Sequence, residues 1–366
     1  MKYYIISGEA SGDLHGSNLM KALFLEDKHA EIRFWGGDLM AEVGGTLVKH
    51  YKERAFMGFA EVITNISTLL GFIKFCKEDI SKFNPDKLIF IDNSGFNLRI
   101  AKWAKTNNFY TIYYISPQVW ASRSGRVKDI KRDIDEMYVI LPFVEDFYKK
   151  HDYKVTFVGH PLLDAIANRK QARESEFRKE YNLGEKPIIA LLPGSRKQEI
   201  TKLLAVMLKM ADKFTDYQFV IAGAPSQDYQ FYQQFISKEN VKFISDRTYD
   251  LLSLSYAAIV TSGTATLETA LFKVPEIVCY KTSWLSYQIG KRLINLKYIS
   301  LVNLIMDKEV VQELIQNDFN EKTLEYELHK ILDEDIRTKM FLNYFELEKK
   351  LGGKGASIKV AKLIVG

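Results

Sequence analysis

The sequence predicts an α/β protein of two Rossmann-like domains, whose parallel sheets face a central cleft, followed by a helical C-terminal tail. Three observations carry this. Short apolar runs rich in Ile, Val, Tyr and Phe alternate with helix-length patterns along nearly the whole chain, as in a parallel sheet covered on both faces. The 366 residues are too many for one ordinary domain and suit two. The alternation stops at a polar segment from about Asn168 to Gly184, dense in Arg, Lys and Glu, and then restarts. We therefore expect one domain over 1–165 and a second over 166–345. Residues 346–366 should form a helix crossing back onto the first domain or onto a partner subunit.

The elements follow in order. Lys2 to Ser7 reads as a buried parallel strand, then comes the turn Gly8-Glu9-Ala10-Ser11-Gly12-Asp13 and a helix from about Leu14 to Leu25. Ile32 to Trp35 is a second strand, closed by Gly36-Gly37, and Gly44-Gly45 marks a further turn. Lys87 to Asp92 is a strand, with a helix from about Phe96 to Lys105. Tyr110 to Ser116, Met137 to Leu141 and Val155 to Val158 complete the first half, the first two broken by Pro117 and Pro142. In the second half Ile188 to Leu192, Gln218 to Ala222, Val241 to Ile244, Ala257 to Val260 and Glu276 to Tyr280 read as strands with helices between. The helix after the first of these runs to about Phe214. From about Val310 the pattern reads helical, ending in Ala356 to Val365. There is no fixed-period repeat and no low-complexity segment.

Hydrophobic residues make up 47% and charged residues 27%, enough for two cores in a folded soluble protein. The net charge of +5 suits an anionic ligand or membrane surface, and no nucleic acid partner is expected. Cys76 and Cys279 lie in separate elements without metal spacing and read as reduced packing residues of a cytosolic protein. Met1 leads straight into a strand and soon meets Glu9 and Asp13, unlike a signal peptide.

Leu191-Leu192-Pro193-Gly194-Ser195-Arg196-Lys197-Gln198-Glu199-Ile200 reads as strand, glycine turn and helix start. Gly194 lets the backbone approach a ligand, Ser195 can cap, and the free helical amides attract phosphate. Arg196 adds a planar fork suited to a diphosphate. The plainer alternative is that Pro-Gly-Ser only caps a helix. A second such site is Thr261-Ser262-Gly263-Thr264-Ala265-Thr266-Leu267-Glu268, where Glu268 either accepts from ribose hydroxyls or completes a capping box. The first turn is of the same kind and offers Ser11 and Gly12 as substrate contacts.

Asp92 ends a strand and is a candidate general base with a pKa raised by partial burial, or else an N-cap. Asn97 could orient it. Glu9 and Asp13 are further acidic candidates or capping residues. His160, in Val158-Gly159-His160-Pro161, either touches a phosphate or sugar hydroxyl or is a linker residue. The other histidines form no metal pattern, Asp133/Asp135 and Asp333/Glu334/Asp335 read as solvated faces, and neither a metal nor a cofactor is expected. No Walker lysine and no full dinucleotide fingerprint is present. Phe56 to Phe75 is long enough for a membrane span, but Glu61, Asn65, Lys74 and two glycines oppose one. It is either an amphipathic helix packed on its own sheet or an apolar surface that meets lipid, with Lys52 and Arg54 near anionic headgroups. Together these features suit transfer of an activated group from a nucleotide diphosphate. Arg196 and two helix starts would stabilise the leaving charge, and Asp92 would take the proton of an attacking hydroxyl.

An ordered set of motifs then resembles one family across nearly the whole chain. These are Ser7 to Asp13, Met57-Gly58 with Glu61-Val62, Ile91-Asp92 with Phe96-Asn97, Tyr114 to Ala121, Leu141-Pro142-Phe143, Gly159-His160-Pro161-Leu162, Leu192 to Arg196, Ser262 to Glu268 and Tyr298 to Leu304. The family is lipid-A-disaccharide synthase. The resemblance implies a GT-B fold and transfer from UDP-2,3-diacylglucosamine to 2,3-diacylglucosamine 1-phosphate. The products would be the β-1,6-linked disaccharide and UDP, with inversion and without metal. It further implies peripheral work at the inner face of the cytoplasmic membrane, with Phe56, Met57, Phe59, Val62, Leu69 and Leu70 meeting acyl chains, and it admits a homodimer. By the same resemblance Asp92 matches the proposed base, and Glu9, Arg196 and Asn303 match residues needed for activity. Gly95 stands where the common form has a second acid, Asn93-Ser94 replaces alanine-proline, Ser122 a tryptophan and Val302 a proline. The rivals are a UDP-N-acetylglucosamine 2-epimerase, favoured if Phe56 to Phe75 is fully buried, and a non-catalytic nucleotide-sugar binder.

Overall fold

The structure, a computed structural model, describes residues 1–55, 66–122, 124–169, 171–283, 287 and 297–366. It contains two units, Met1–Ala167 with Leu351–Gly366, and Asn168–Lys350. The first holds β1 (Lys2–Ile6), β2 (Glu31–Gly36), β3 (Thr46–His50), β4 (Lys87–Ile91), β5 (Thr111–Tyr114), β6 (Glu136–Val139) and β7 (Thr156–Phe157). All pair in parallel, in the order β3-β2-β1-β4-β5-β6-β7. Every side chain from Tyr3 to Ile6 and from Leu88 to Ile91 is 0% exposed, as expected for central strands covered on both faces. Buried phenols there need partners. Tyr4 donates to Asp79 at 2.7 Å and accepts from Trp35 Nε1 at 2.9 Å, while Arg33 clamps Asp79 through two bonds.

The second unit holds β8 (Ile188–Leu192), β9 (Gln218–Gly223), β10 (Val241–Ser245), β11 (Ser255–Thr261), β12 (Glu276–Tyr280) and β13 (Gln312–Ile315). The order β10-β9-β8-β11-β12-β13 is also wholly parallel. Counted within the unit it is 3-2-1-4-5-6, the doubly wound order. In both sheets the order reverses beside the first strand, at β1/β4 and at β8/β11. A crevice opens beyond the carboxyl ends of the strands at such a reversal, and the turns after β1, β4, β8 and β11 lie there. The helix Ala356–Val365 belongs to the first unit. Its Val360, Ala361 and Ile364 pack in one core with Tyr3, Ile5, Leu19 and Leu23. Asp164 accepts from the amides of Gly355 and Ser357 at 2.6 and 2.9 Å, so it seals that helix start.

Several sequence expectations are corrected. β3 and β13 were not foreseen, and Gln312–Ile315 falls where the pattern reads helical. Both are edge strands, so polar residues replace the continuous apolar run of a central strand. The first helix starts at Ala10, not Leu14, and the helix expected to reach Phe214 breaks into Lys197–Met207 and Met210–Lys213. Asp133 and Asp135 are not a solvated face. Asp133 is 5% exposed and held by Arg132 at 2.6 Å, and Asp135 accepts from the Thr111 amide and hydroxyl. Among the described residues no cluster of His, Cys, Asp or Glu could hold a metal, and no helix is long and apolar enough to cross a membrane. Cys76 and Cys279 are both buried.

Of the apolar stretch, Phe56, Met57, Phe59 and Val62 lie outside the described residues. Leu69 and Leu70 sit on the helix Ile66–Phe83. That helix buries Ile73, Cys76 and Ile80, spaced by three and four, and turns Leu70 (58% exposed) and Phe75 (45%) to solvent. It is therefore packed on its own unit along one face and apolar along part of the other.

Candidate active site

In the second unit, β8 and β11 are neighbours at the reversal. The turns after them and after β9 enclose a cavity of about 350 Å³. It brings together Gly194, Ser195, Ser262, Gly263, Thr264, Ala265 and Glu268. Arg196 is not in it. Arg196 lines an adjoining cavity of about 370 Å³ with Lys197, Lys202 and Lys281, and Glu199 borders both. Gly194 has a φ of +99°, which favours glycine, and a Cβ there would displace the flexible Glu199 carboxylate, whose Oε2 lies 2.4 Å from that position. A Cβ on Gly263 would meet nothing within 4 Å, so the backbone at that turn faces open space.

The helices Lys197–Met207 and Thr264–Leu271 both start without a side-chain cap. Ser195 therefore does not cap, and the first amides of both helices remain available to an anion. Glu268 is not a capping-box partner either: it accepts from the Tyr249 hydroxyl at 2.7 Å. Burial raises its carboxyl pKa, and the Tyr249 bond partly offsets this. Sequence reasoning missed Gly223, Ala224, Pro225 and Thr248, which line the same cavity. The signal was there, because Gly-Ala-Pro directly after β9 is another small-residue turn at a strand end. Ser226 fastens that turn to the first, donating to the Ser195 carbonyl at 2.8 Å.

Asn303 lies inside the second unit at 0% exposure. Its Nδ2 donates to the Val311 carbonyl at 2.8 Å and to Glu313 at 2.9 Å, and its Oδ1 accepts from the amides of Val310 and Val311. All its amide hydrogens and both lone-pair directions are engaged, so it positions other groups and has nothing left for a substrate. Glu313 also accepts from the amides of Ile299 and Ser300, and Ser262 donates to the Ile299 carbonyl at 3.0 Å. Asn303 thereby braces the loop that touches the Ser262 turn. Asn303→Ala should cost about 2–4 kcal/mol, from backbone groups left buried without partners. Urea unfolding checks this; an unchanged midpoint would remove Asn303 from the scaffold.

In the first unit, β4 ends at Ile91, and the two residues after it, Asp92 and Asn93, have φ of +46° and +43°. Asp and Asn tolerate this region best, and strained backbone gathers at functional sites. Beside them, after β5, the β-branched Ile115 has φ +63°, which no sequence feature announces. The Asp92 carbonyl accepts from the Tyr113 hydroxyl and from Asn97 Nδ2 at 2.8 Å. Asn97 also donates to the Ile91 and Ile6 carbonyls, tying β4 to β1 at the reversal. With its backbone held, the Asp92 carboxyl is half-buried. Burial first, and the negative charge of Glu9 second, raise its pKa, against the amide of Asn93.

Glu9 immediately precedes the helix Ala10–Glu26, which has no side-chain cap, and Glu9 and Ser11 are exposed. Gly12 is buried, with a Cβ-sized gap of only 3.0 Å to Ser7. Asp13 has a structural task, accepting from the amides of Gly37, Leu39 and Met40. His160 is neither linker nor exposed contact. It is 4% exposed, its Nδ1 accepts from the Leu162 amide, and burial with the nearby His15 pushes its pKa down to about 3.

Known proteins resemble this chain along its length. A family model described as lipid-A-disaccharide synthetase matches residues 3–359. The lipid-A-disaccharide synthase of Syntrophus aciditrophicus is 40% identical, over 98% of this chain and 95% of its own. Two solved structures share the fold. The MnaA–UDP co-structure from S. aureus has a TM-score of 0.70 at 14% identity, covering 99% of this chain and 95% of its own. The UDP-GlcNAc 2-epimerase from Neisseria meningitidis bound to UDP-GlcNAc has 0.67 at 12%, covering 100% and 98%. At such identities they speak for the GT-B type of fold alone. The match over nearly the whole length and the 40% identity decide the family: this chain belongs to the lipid-A-disaccharide synthases and is a glycosyltransferase.

Proposed function

We propose that the chain transfers 2,3-diacylglucosamine from UDP-2,3-diacylglucosamine to 2,3-diacylglucosamine 1-phosphate. It makes the β-1,6 disaccharide and UDP, inverting the anomeric carbon without a metal. The observation that carries this reading is the pair of uncapped helix starts around one small-residue cavity at the β8/β11 reversal. Such a site suits a diphosphate, whose leaving charge the amides and Arg196 would stabilise. Glu268 would hold the ribose. Asp92, with its raised pKa, would accept the proton of the attacking hydroxyl, and Glu9 and Ser11 would border it. Residues 1–165 would serve the acceptor and 166–345 the donor.

Diacylated substrates reside in a bilayer, so the enzyme would work peripherally, at the inner face of the cytoplasmic membrane. The exposed Leu70 and Phe75 support that contact and count against the epimerase alternative, which needs no apolar surface. The test is incubation with both purified substrates, with and without a chelator. Disaccharide in both supports the reading, absence from both overturns it, and loss only with chelator overturns the metal-free part.

A further inference from the structure

A second cavity, with a net positive lining, lies on the first unit directly after Asp92. A cavity of about 240 Å³ separates the helix Ser94–Thr106 from the segment Ser124–Arg126 and the helix Val127–Asp133. Its charged lining is Arg99, Lys102, Arg126 and Arg132 against Asp129 and Asp133, a surplus of two positive charges. The surplus can be assigned. Arg132 is committed to Asp133 at 2.6 Å and Asp129 at 3.1 Å. Arg99, Lys102 and Arg126 have no carboxylate partner among the described residues. Arg99 folds back over the first helical turn, donating to the Gly95 carbonyl at 3.0 Å.

The helix start adds to this field. Asn93 gives no side-chain cap, and the first intrahelical bond there belongs to Phe96. Ser94 and Gly95 both line the cavity, and a Cβ on Gly95 would meet nothing within 4 Å. Three cations without a carboxylate partner among the described residues, one of them also bonded to the Gly95 carbonyl, and an open helix N-terminus thus line one space. A phosphate monoester carries about −1.5 to −2 at neutral pH and matches that surplus; a phospholipid diester carries a single charge.

We propose that Arg126, Lys102 and Arg99 bind the phosphate monoester of the acceptor sugar, so that the sugar is anchored within a few residues of Asp92. This rests on the glycosyl-transfer reading above and assigns the acceptor's anionic end a place in it. Anchoring at the phosphate would select the hydroxyl presented to the base, because one fixed end leaves the sugar few orientations.

The test compares 2,3-diacylglucosamine 1-phosphate with its dephosphorylated form in detergent. The wild type should prefer the phosphorylated acceptor. Arg126→Ala should lower that preference roughly 10- to 100-fold, mostly through acceptor KM, with donor KM near wild type. Arg126→Lys should recover part, and Lys102→Ala should act in the same direction. A wild type that turns over neither acceptor would defeat the transfer reading itself. A wild type that is active while Arg126→Ala and Lys102→Ala keep the full preference would defeat only this proposal. So would variants that lose binding to anionic phospholipid vesicles with an unaltered preference, which would make the cavity a headgroup site. A lowered melting temperature with both acceptors slowed equally would mean a structural role and would equally overturn it.

Discussion

Asp92→Asn should lower kcat by roughly 10²- to 10⁴-fold, the usual worth of a positioned general base, and leave UDP affinity unchanged. Asn keeps the shape and the backbone bonds from Asn97 and Tyr113, which go to the carbonyl and not to the side chain. What it removes is the proton acceptor. The pH profile gives an independent reading. Burial and Glu9 hold the Asp92 carboxyl above its ordinary value, so the acid limb of kcat/KM should lie above that of an ordinary aspartate and vanish in the variant. Stability moves the other way. A group whose folded pKa is raised stabilises when protonated, fully below its unfolded pKa, and that contribution fades as pH rises through the folded pKa. At neutral pH the ionised Asp92 therefore disfavours the fold, and Asp92→Asn should melt at the same temperature or higher. An inactive variant that also melts lower would point to a structural residue instead.

Arg196→Ala should lower kcat/KM by roughly 10²- to 10³-fold, as for loss of one preorganised donor to a leaving oxyanion. Arg196→Lys should recover only part, since an ammonium cannot present two parallel donors to a diphosphate. The side chain is exposed and has no carboxylate partner among the described residues. Chemical unfolding should therefore shift by less than about 0.5 kcal/mol. Full activity in Arg196→Ala would remove the guanidinium from the diphosphate site. Arg196 sits in the cavity next to Gly194 and not in the same one, so its long side chain would have to reach past Glu199.

The central architecture was legible because it is written locally. Ile188–Leu192 and Glu276–Tyr280 match the strands to the residue: the first is continuously apolar and the second is so from Ile277 to Cys279, as strands buried on both faces tend to be. Their turns were legible because glycine is needed where φ is positive, as at Gly194. β3 and β13 were not, because Lys49 and His50 in one and Gln312 and Glu313 in the other break up the apolar run; the other edge strands, β7 and β10, fall within runs that do read as strands. Side-chain roles were harder still. The sequence leaves Asp13 open between an acidic candidate and a capping residue and His160 between a ligand contact and a linker, and Asn303 enters only through the family resemblance. Each is turned inward by partners the local pattern cannot reveal, such as Glu313 for Asn303 and Gly37, 24 residues on, for Asp13. The basic cavity beside Asp92 escaped notice for a similar reason, since Arg99 and Arg126 meet only in the folded unit.

The placement of Ala356–Val365 within the first unit has a consequence for biogenesis. Translation delivers β1 to β7 long before this helix, and bacterial-rate elongation through the intervening unit takes roughly 10–40 s. During that interval Leu19, Leu23 and Ile5 lack Val360 and Ile364 as neighbours, and Asp164 has no amides to seal. Until the closing helix emerges, the nascent amino-terminal half lacks part of its apolar cover.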